Sequence, residues 1–340
     1  MADPRIDDAR AAGNTPPGIT DVALDESYDK VGIISISVMT GLSFLVIMCR
    51  LFSRKFIIKS YGLGLDDALA LASLVVFIPF SVLCIVLINL GAARNFAFEP
   101  YIINQAVIQP MDSVAHLVYS TALILCRISG LAFYSRICWM DEKFTLSIKF
   151  VLAILLMGYL TQMGLIIFHC RPVTLMWSPL SEEDEENMYK CVQWVHIYSF
   201  ISSISLICDL LLFGLPAAML KSLELPRKQK LQLAFTLFPG ILVIGISAAR
   251  IALVSMFGDE TDENFQFAFL KLLCVEVAEI SVTILALSFP GLKPMVDKFI
   301  LRKKPDLNSA DEPGMSSREE IKLYRAEQYA KHLEHVKLAD

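Results

Sequence analysis

The chain has 340 residues, 55% of them hydrophobic, and its charged share is 19%, where a soluble domain carries about a quarter. That balance excludes an ordinary soluble fold, and no basic stripe with interleaved aromatics supports nucleic-acid binding. The formal net charge of −5 says little about partners, because the charge gathers at the chain ends and in short clusters between apolar stretches.

Residues 1–30 are polar and acidic and lack the basic-then-apolar layout of a cleaved signal peptide, so the first helix itself is expected to act as the insertion signal. A bilayer core about 30 Å thick needs roughly 20 apolar residues per helix. Spans are predicted at 31–52, 67–90, 113–135, 145–168, 194–220, 232–257 and 267–289. Pro216 and Pro239 lie inside the fifth and sixth spans, where membrane helices tolerate them. The expected architecture is an all-α bundle of seven transmembrane helices over 31–295, preceded by a polar tail (1–30) and followed by a charged tail (296–340).

Lysine and arginine in the short connections set the orientation. Arg50, Arg54, Lys55, Lys59, Arg136, Lys143, Lys221, Arg227, Lys228, Lys230, Lys293, Lys298, Arg302, Lys303 and Lys304 lie on one side. Lys30, Arg94, Arg171 and Lys190 lie on the other. The basic side is expected to be cytoplasmic, which places the N-terminus outside and the C-terminus in the cytoplasm. The outer connections are acidic, with Glu182, Glu183, Asp184, Glu185 and Glu186 after span four and Asp259, Glu260, Asp262 and Glu263 after span six. They are either solvated loops or a field that steers a cation. In the tail, Ser317 with Glu320 reads as a capping box opening a helix to about residue 337, and Ser309, Ser316 and Ser317 are candidate phosphorylation sites.

Of the eight cysteines, Cys170 and Cys191 fall in an external, oxidising segment. They form either a disulfide pinning the acidic loop over the bundle or two free thiols at the interface. No zinc-ligand spacing is present, and no metal or other cofactor is expected.

A charge at a helix centre costs roughly 2.5–3.5 kcal/mol on the insertion scale, so each needs a reason. Five stand out: Arg127, Asp209, Arg250, Glu276 and Glu279. At about 1.5 Å per residue, Arg127 and Asp209 share one depth, while Arg250 and Glu276 suit a second pair. Glu279 shares a helix face with Glu276 and can reach towards Arg127. These residues are either a ligand-binding, proton-handling or switching core, or structural ion pairs that fix helix register. Lys271, His116 and His169 sit near outer helix ends, where interfacial roles are expected.

Arg50 and Arg54 precede Leu63-Gly64-Leu65-Asp66-Asp67, and span three closes with Arg127, Ser129, Phe133, Tyr134 and Arg136. Cys170-Arg171-Pro172, Trp177 and Cys191 follow, then Asp209 before Pro216, Leu225-Pro226-Arg227, Gly240 before Arg250, and Glu279 before Pro290-Gly291-Leu292-Lys293-Pro294. Taken in this order, the motifs resemble those of the fungal rhodopsin-like membrane family. Ala68 stands where the family usually has Trp, and the external cysteine-rich domain of some members is absent. No Asp/Glu-Arg-Tyr triplet follows span three and no Asn-Pro-x-x-Tyr lies in span seven, so coupling to a G protein in the animal manner lacks support. The resemblance implies a receptor-like, multi-pass protein of the plasma membrane, with a small-molecule ligand and a cytoplasmic signalling partner as expected partners. Other members occur in secondary-metabolite gene clusters, which leaves a membrane enzyme such as a cyclase or isomerase, or an accessory protein, as the alternative. No catalytic signature is present, and no residue is assigned a catalytic role. Asp66 and Asp67, at the start of span two, are read as either a helix cap or part of a cytoplasmic switch, with Arg54 or Lys55 as partner.

Overall fold

In a bilayer core every backbone N–H and C=O must be bonded within its own segment, so apolar runs of this length form helices. The computed structural model describes residue 11 and residues 27–57, 64–92, 105–137, 142–171, 173, 190–222, 227–256 and 267–299. They form α1 (Asp29–Phe52), α2 (Leu65–Leu87), α3 (Gln105–Ile137), α4 (Glu142–Ile167), α5 (Trp194–Ser222), α6 (Arg227–Met256) and α7 (Ala268–Phe299). Each is long and apolar enough to cross a membrane. A turn of π-helix extends α1 (Ser53–Ile57) and another extends α2 (Ile88–Ala92), the latter ending through Gly91 at a positive φ of 97°. The chain divides into compact units at 1–292 and 293–340, and the seven spans lie in the first.

Two helix boundaries differ from the hydropathy reading by more than five residues. Helix α3 begins at Gln105 rather than near 113, carrying Pro110 inside it. A proline near a helix start removes one backbone hydrogen bond and does not end the helix. Helix α7 continues to Phe299, past Pro290 and Pro294. The expected tail helix at 317–337 and the acidic runs at 182–186 and 259–263 lie outside the described residues.

Direction alternates along the bundle. Gly32, at the start of α1, meets Leu270 at the start of α7 and Ile88 at the end of α2, whereas Arg50, at the far end of α1, meets Asp67 and Leu287. The end holding the 1–2, 3–4 and 5–6 connections is called the basic end here, and the opposite one the acidic end. At the acidic end β1 (Cys170–Arg171) pairs antiparallel with β2 (Lys190–Cys191), with Cys170 opposite Cys191. Cys170 is disulfide-bonded, and Cys49, Cys84, Cys126, Cys208 and Cys274 are free thiols.

Outward faces are apolar. Val31, Ile34 and Val38 on α1, Phe150, Met157 and Leu160 on α4, and Phe238, Ile241 and Leu242 on α6 are exposed, as lipid-facing side chains must be. Burial is concentrated in the centre: 67% of the most apolar stretch of α3 and of α7 is enclosed, against 22% for α4. Helices α3 and α7 are therefore the axis around which the others pack, and any polar group on their inner faces is cut off from lipid and water alike.

Small residues bring backbones together where no hydrophobic force draws helices across lipid. On α6, a Cβ added at Gly240 would lie 2.4 Å from Cδ1 of the buried Phe213 ring on α5. Replacement of Gly240 by Val is expected to destabilise the detergent-solubilised protein by about 1–3 kcal/mol through overpacking. Pairing it with Phe213→Leu is expected to restore part of the loss, measured by thermal unfolding.

Candidate functional site: three ionic clusters along two central helices

The polar residues of α3 recur at helical spacing, and that spacing places them on the face turned towards α5, α6 and α7. Asp112, His116, Tyr119 and Arg127 descend α3 from the acidic end, and all four are buried. Helix α7 answers with Glu276 and Glu279, α5 with Tyr198, Ser205 and Asp209, and α6 with Ser247 and Arg250. Their contacts resolve into three clusters at successive depths.

The central cluster holds four charges. Arg127 Nε donates to Asp209 Oδ1 at 2.9 Å, and its Nη2 lies 2.8 Å from the same oxygen. Nη2 also donates to the Ser205 hydroxyl at 2.5 Å and lies 3.5 Å from Glu279 Oε1. Arg250 Nη1 lies 2.9 Å from Glu279 Oε2 and donates to the Tyr119 hydroxyl, with its guanidinium over the Tyr119 ring at 5.3 Å. Tyr119 in turn donates to Glu279 Oε2 at 2.7 Å. Ser205 donates to Glu279 Oε1 at 2.9 Å, and Ser247 to Asp209 Oδ2 at 2.6 Å. Two guanidinium groups thus face two carboxylates, and Glu279 is shared between Arg127 and Arg250. Formal charge balances, as a group of ions in low dielectric requires.

Nearer the acidic end, His116 places Nδ1 3.3 Å from Glu276 Oε1 and Nε2 3.4 Å from Asp112 Oδ1. Tyr198 donates to Asp112 Oδ2 at 2.8 Å and also hydrogen-bonds His116 Nε2. Trp194 stacks beyond Tyr198 at 5.5 Å and against His169 at 4.3 Å. This second cluster is an acid–base set: two carboxyl groups, an imidazole and a phenol in contact can take up, hold and pass a proton.

The third cluster closes the basic end. Arg50 Nε lies 2.9 Å from Asp67 Oδ1 and its Nη2 3.0 Å from Asp66 Oδ2. Arg54, one turn on, repeats the pattern at 2.8 Å to Asp66 and 3.2 Å to Asp67. The Gly64 N–H donates to Asp67 Oδ2 at 3.3 Å, so Asp67 also caps α2. A Cβ at Gly64 would sit 2.4 Å from Asp66 Oδ1, which is why the carboxylate can approach only a glycine there. The cluster reaches two more helices. Ser129 donates to the Asp66 carbonyl at 2.6 Å, Arg136 lies 3.5 Å from Asp66, and Arg50 Nη1 donates to the Leu287 carbonyl at 3.0 Å.

The structure gathers Arg50, Arg54, Asp66, Asp67, Arg127, Asp209, Arg250, Glu276 and Glu279 into the three clusters, with one change of partner from the sequence reading. The depth argument matched Arg250 with Glu276, whereas Arg250 pairs with Glu279 and Glu276 pairs with His116. One turn of α7 separates the two acids by about 4.5 Å, less than an arginine side chain can span, so depth does not choose between them. His116, read as interfacial, is buried between Asp112, Tyr198 and Glu276. Asp112, Tyr119 and Tyr198 were not anticipated; the Asp112–His116–Tyr119 spacing of four and three on one helix was the available signal. Lys271 is exposed. Among the described residues no group of three or more His, Cys, Asp or Glu side chains is placed to hold a metal ion.

Seven membrane-length helices around a buried, charge-balanced ionic core define a polytopic membrane protein of the seven-helix class. The model of the family described as the fungal rhodopsin domain matches residues 49–298, and the chain belongs to that family. The match contains every residue of the three clusters. The chain is also similar to a protein named Satratoxin biosynthesis SC1 cluster protein 4, from Stachybotrys chartarum (strain CBS 109288 / IBT 7711). Identity is 24% over 211 residues, covering 59% of this chain and 70% of that protein. No solved structure matches.

Removing one partner of a buried ion pair costs about 3–5 kcal/mol, because the other charge is left unpaired. Asp209→Asn is therefore expected to lower stability by about that amount in thermal unfolding. The double replacement Arg127→Met with Asp209→Leu is expected to recover most of it.

Proposed function

We propose that this protein is a receptor-like membrane protein in which a small molecule acts on the buried ionic core and the effect is delivered at the basic end. The observation that carries this reading is that α3 and α7 each run through all three clusters. Helix α3 contributes His116, then Tyr119 and Arg127, then Ser129 and Arg136. Helix α7 contributes Glu276, then Glu279, then the Leu287 carbonyl. Eight residues separate Glu279 from Leu287, a rise of about 12 Å. A rotation or slide of α7 that alters the Glu279 pairs therefore also alters the Arg50 contact at the basic end.

Glu279 is the bistable element. It shares one carboxylate between two guanidinium groups, and a ligand that favours one partner over the other shifts the equilibrium by its differential affinity. The lysine and arginine count supports a cytoplasmic basic end with the N-terminus outside, and the family resemblance favours the plasma membrane. There the side chain of Arg136, 38% exposed, is within reach of a cytoplasmic partner.

A second reading has its own support. The relative is named as a protein of a toxin biosynthesis cluster, and the His116 cluster has the donors and acceptors of a general acid–base site. On that reading the chain transforms a lipophilic metabolite, or assists an enzyme that does.

Metabolite profiling of the source organism separates the two, with the gene deleted and complemented by wild type or Glu279→Gln. Sensing predicts broad shifts in metabolic or developmental programmes without a stoichiometric precursor, unrestored by Glu279→Gln. Accumulation of one precursor as one product vanishes would contradict sensing and establish the second reading.

A further inference from the structure

Arginine presents a side edge on which Nε–H and one Nη2–H point the same way and fit the two oxygens of a carboxylate. Two buried arginines of this bundle use that edge for acids. Arg50 directs Nε to Asp67 and Nη2 to Asp66. Arg127 directs both nitrogens to Asp209. Arg250 does not. It is 1% exposed and its Nη1 is held by Glu279 and Tyr119, while among the described residues its Nε and Nη2 have no hydrogen-bond partner. A buried, charged N–H left unpaired carries its whole desolvation penalty, and here two lie side by side. Among the described residues, Glu276 Oε2 is a buried acceptor in the same condition, and Glu276 sits three residues along α7 from Glu279, the acid that holds Arg250.

We propose that the side edge of Arg250 is the anchoring point for the carboxylate of a small organic acid that carries a hydroxyl group for Glu276. The pairing follows from the chemistry of the two groups. A bidentate cationic edge selects a planar oxyanion, and a carboxylate beside it repels a second anion unless the ligand also offers a donor. Arg250 lies about 9 Å along α6 from its acidic end, the nearer of the two, so an acid enters from that side, through solution or the adjoining leaflet. The acid's source is thus either solution or lipid, with the same head-group chemistry.

Binding at this edge has a consequence for the core. Arg250 Nη1 holds Glu279, so an acid drawing the guanidinium to its other side weakens the tie between α6 and α7 and leaves Glu279 to Arg127. That consequence rests on the receptor reading; the binding step does not.

The test is titration of the full-length protein in nanodiscs, read by thermal stabilisation and calorimetry. Mandelate serves as the aqueous probe and 3-hydroxydecanoate as the lipid-borne probe, each beside its methyl ester and its deoxy analogue. One hydroxy acid is expected to bind, its ester not to bind, and its deoxy analogue to bind more weakly. Arg250→Lys keeps a positive charge beside Glu279 and loses the edge, and it is expected to weaken binding at least tenfold, whatever it does to the unfolding temperature without ligand. The probe that binds identifies the source. Binding of the esters as tightly as the acids, equal binding by Arg250→Lys, or no response to either acid overturns the proposal and leaves the edge to water. Acid binding without any change in the metabolite profile would instead sink the receptor reading and keep this site.

Discussion

A carboxylate shared by two guanidinium groups, at a depth where neither lipid nor bulk water can solvate it, constrains most of the bundle's interior. Glu279 is flanked in sequence by Ala278 and Ile280, yet Arg127 of α3 and Arg250 of α6 both lie within 3.5 Å of it. Ionised groups are tolerated there only when every charge has an opposite within contact distance, because desolvation otherwise exceeds any packing gain. Asp209 supplies the fourth charge, and Ser205, Ser247 and Tyr119 satisfy the remaining acceptor positions. Four helices are held in one register by this requirement. Apolar packing alone would not specify it, since a leucine face slides past another at little cost.

The basic end repeats the same device with a different result. Arg50 and Arg54 each meet Asp66 and Asp67, so four charges are enclosed by helices α1, α2, α3 and α7 and capped by backbone. Here the acids sit at a helix N-terminus, where exposed N–H groups and the macrodipole favour negative charge. This cluster serves both as a helix cap and as an ionic clamp. The closeness of Gly64 and Gly291 to these side chains reflects the same demand: a Cβ at Gly291 would press to 3.3 Å on the stem of Arg50.

The seven spans were legible from hydropathy, since span length and backbone satisfaction leave a membrane chain little choice. The Arg127–Asp209 pair was legible from depth, because both residues sit far from any boundary and small errors in helix ends cancel. The Arg250 partner was not, since Glu276 and Glu279 differ by less than the length of an arginine. The acid–base cluster was hidden by a boundary error. With α3 begun near 113, Asp112 falls outside the membrane and His116 at its edge; with α3 begun at Gln105, both are two to three turns inside the helix. Tyr119 and Tyr198 give no charge signal in a sequence, and their roles emerge only when the helices are packed. Function was less legible than fold, because a balanced ionic core serves a switch, a proton relay or a rigid scaffold equally well until its response to a ligand is known.

The sharing of Glu279 can be measured directly by a double-mutant cycle. Arg127→Gln, Arg250→Gln and the double variant would be unfolded in a defined detergent, once with Glu279 present and once in a Glu279→Gln background. If the acid couples the two arginines, their effects are non-additive by more than about 0.5 kcal/mol with Glu279, and the coupling disappears without it. Additive effects in both backgrounds would contradict the account, leaving two independent pairs that happen to be neighbours.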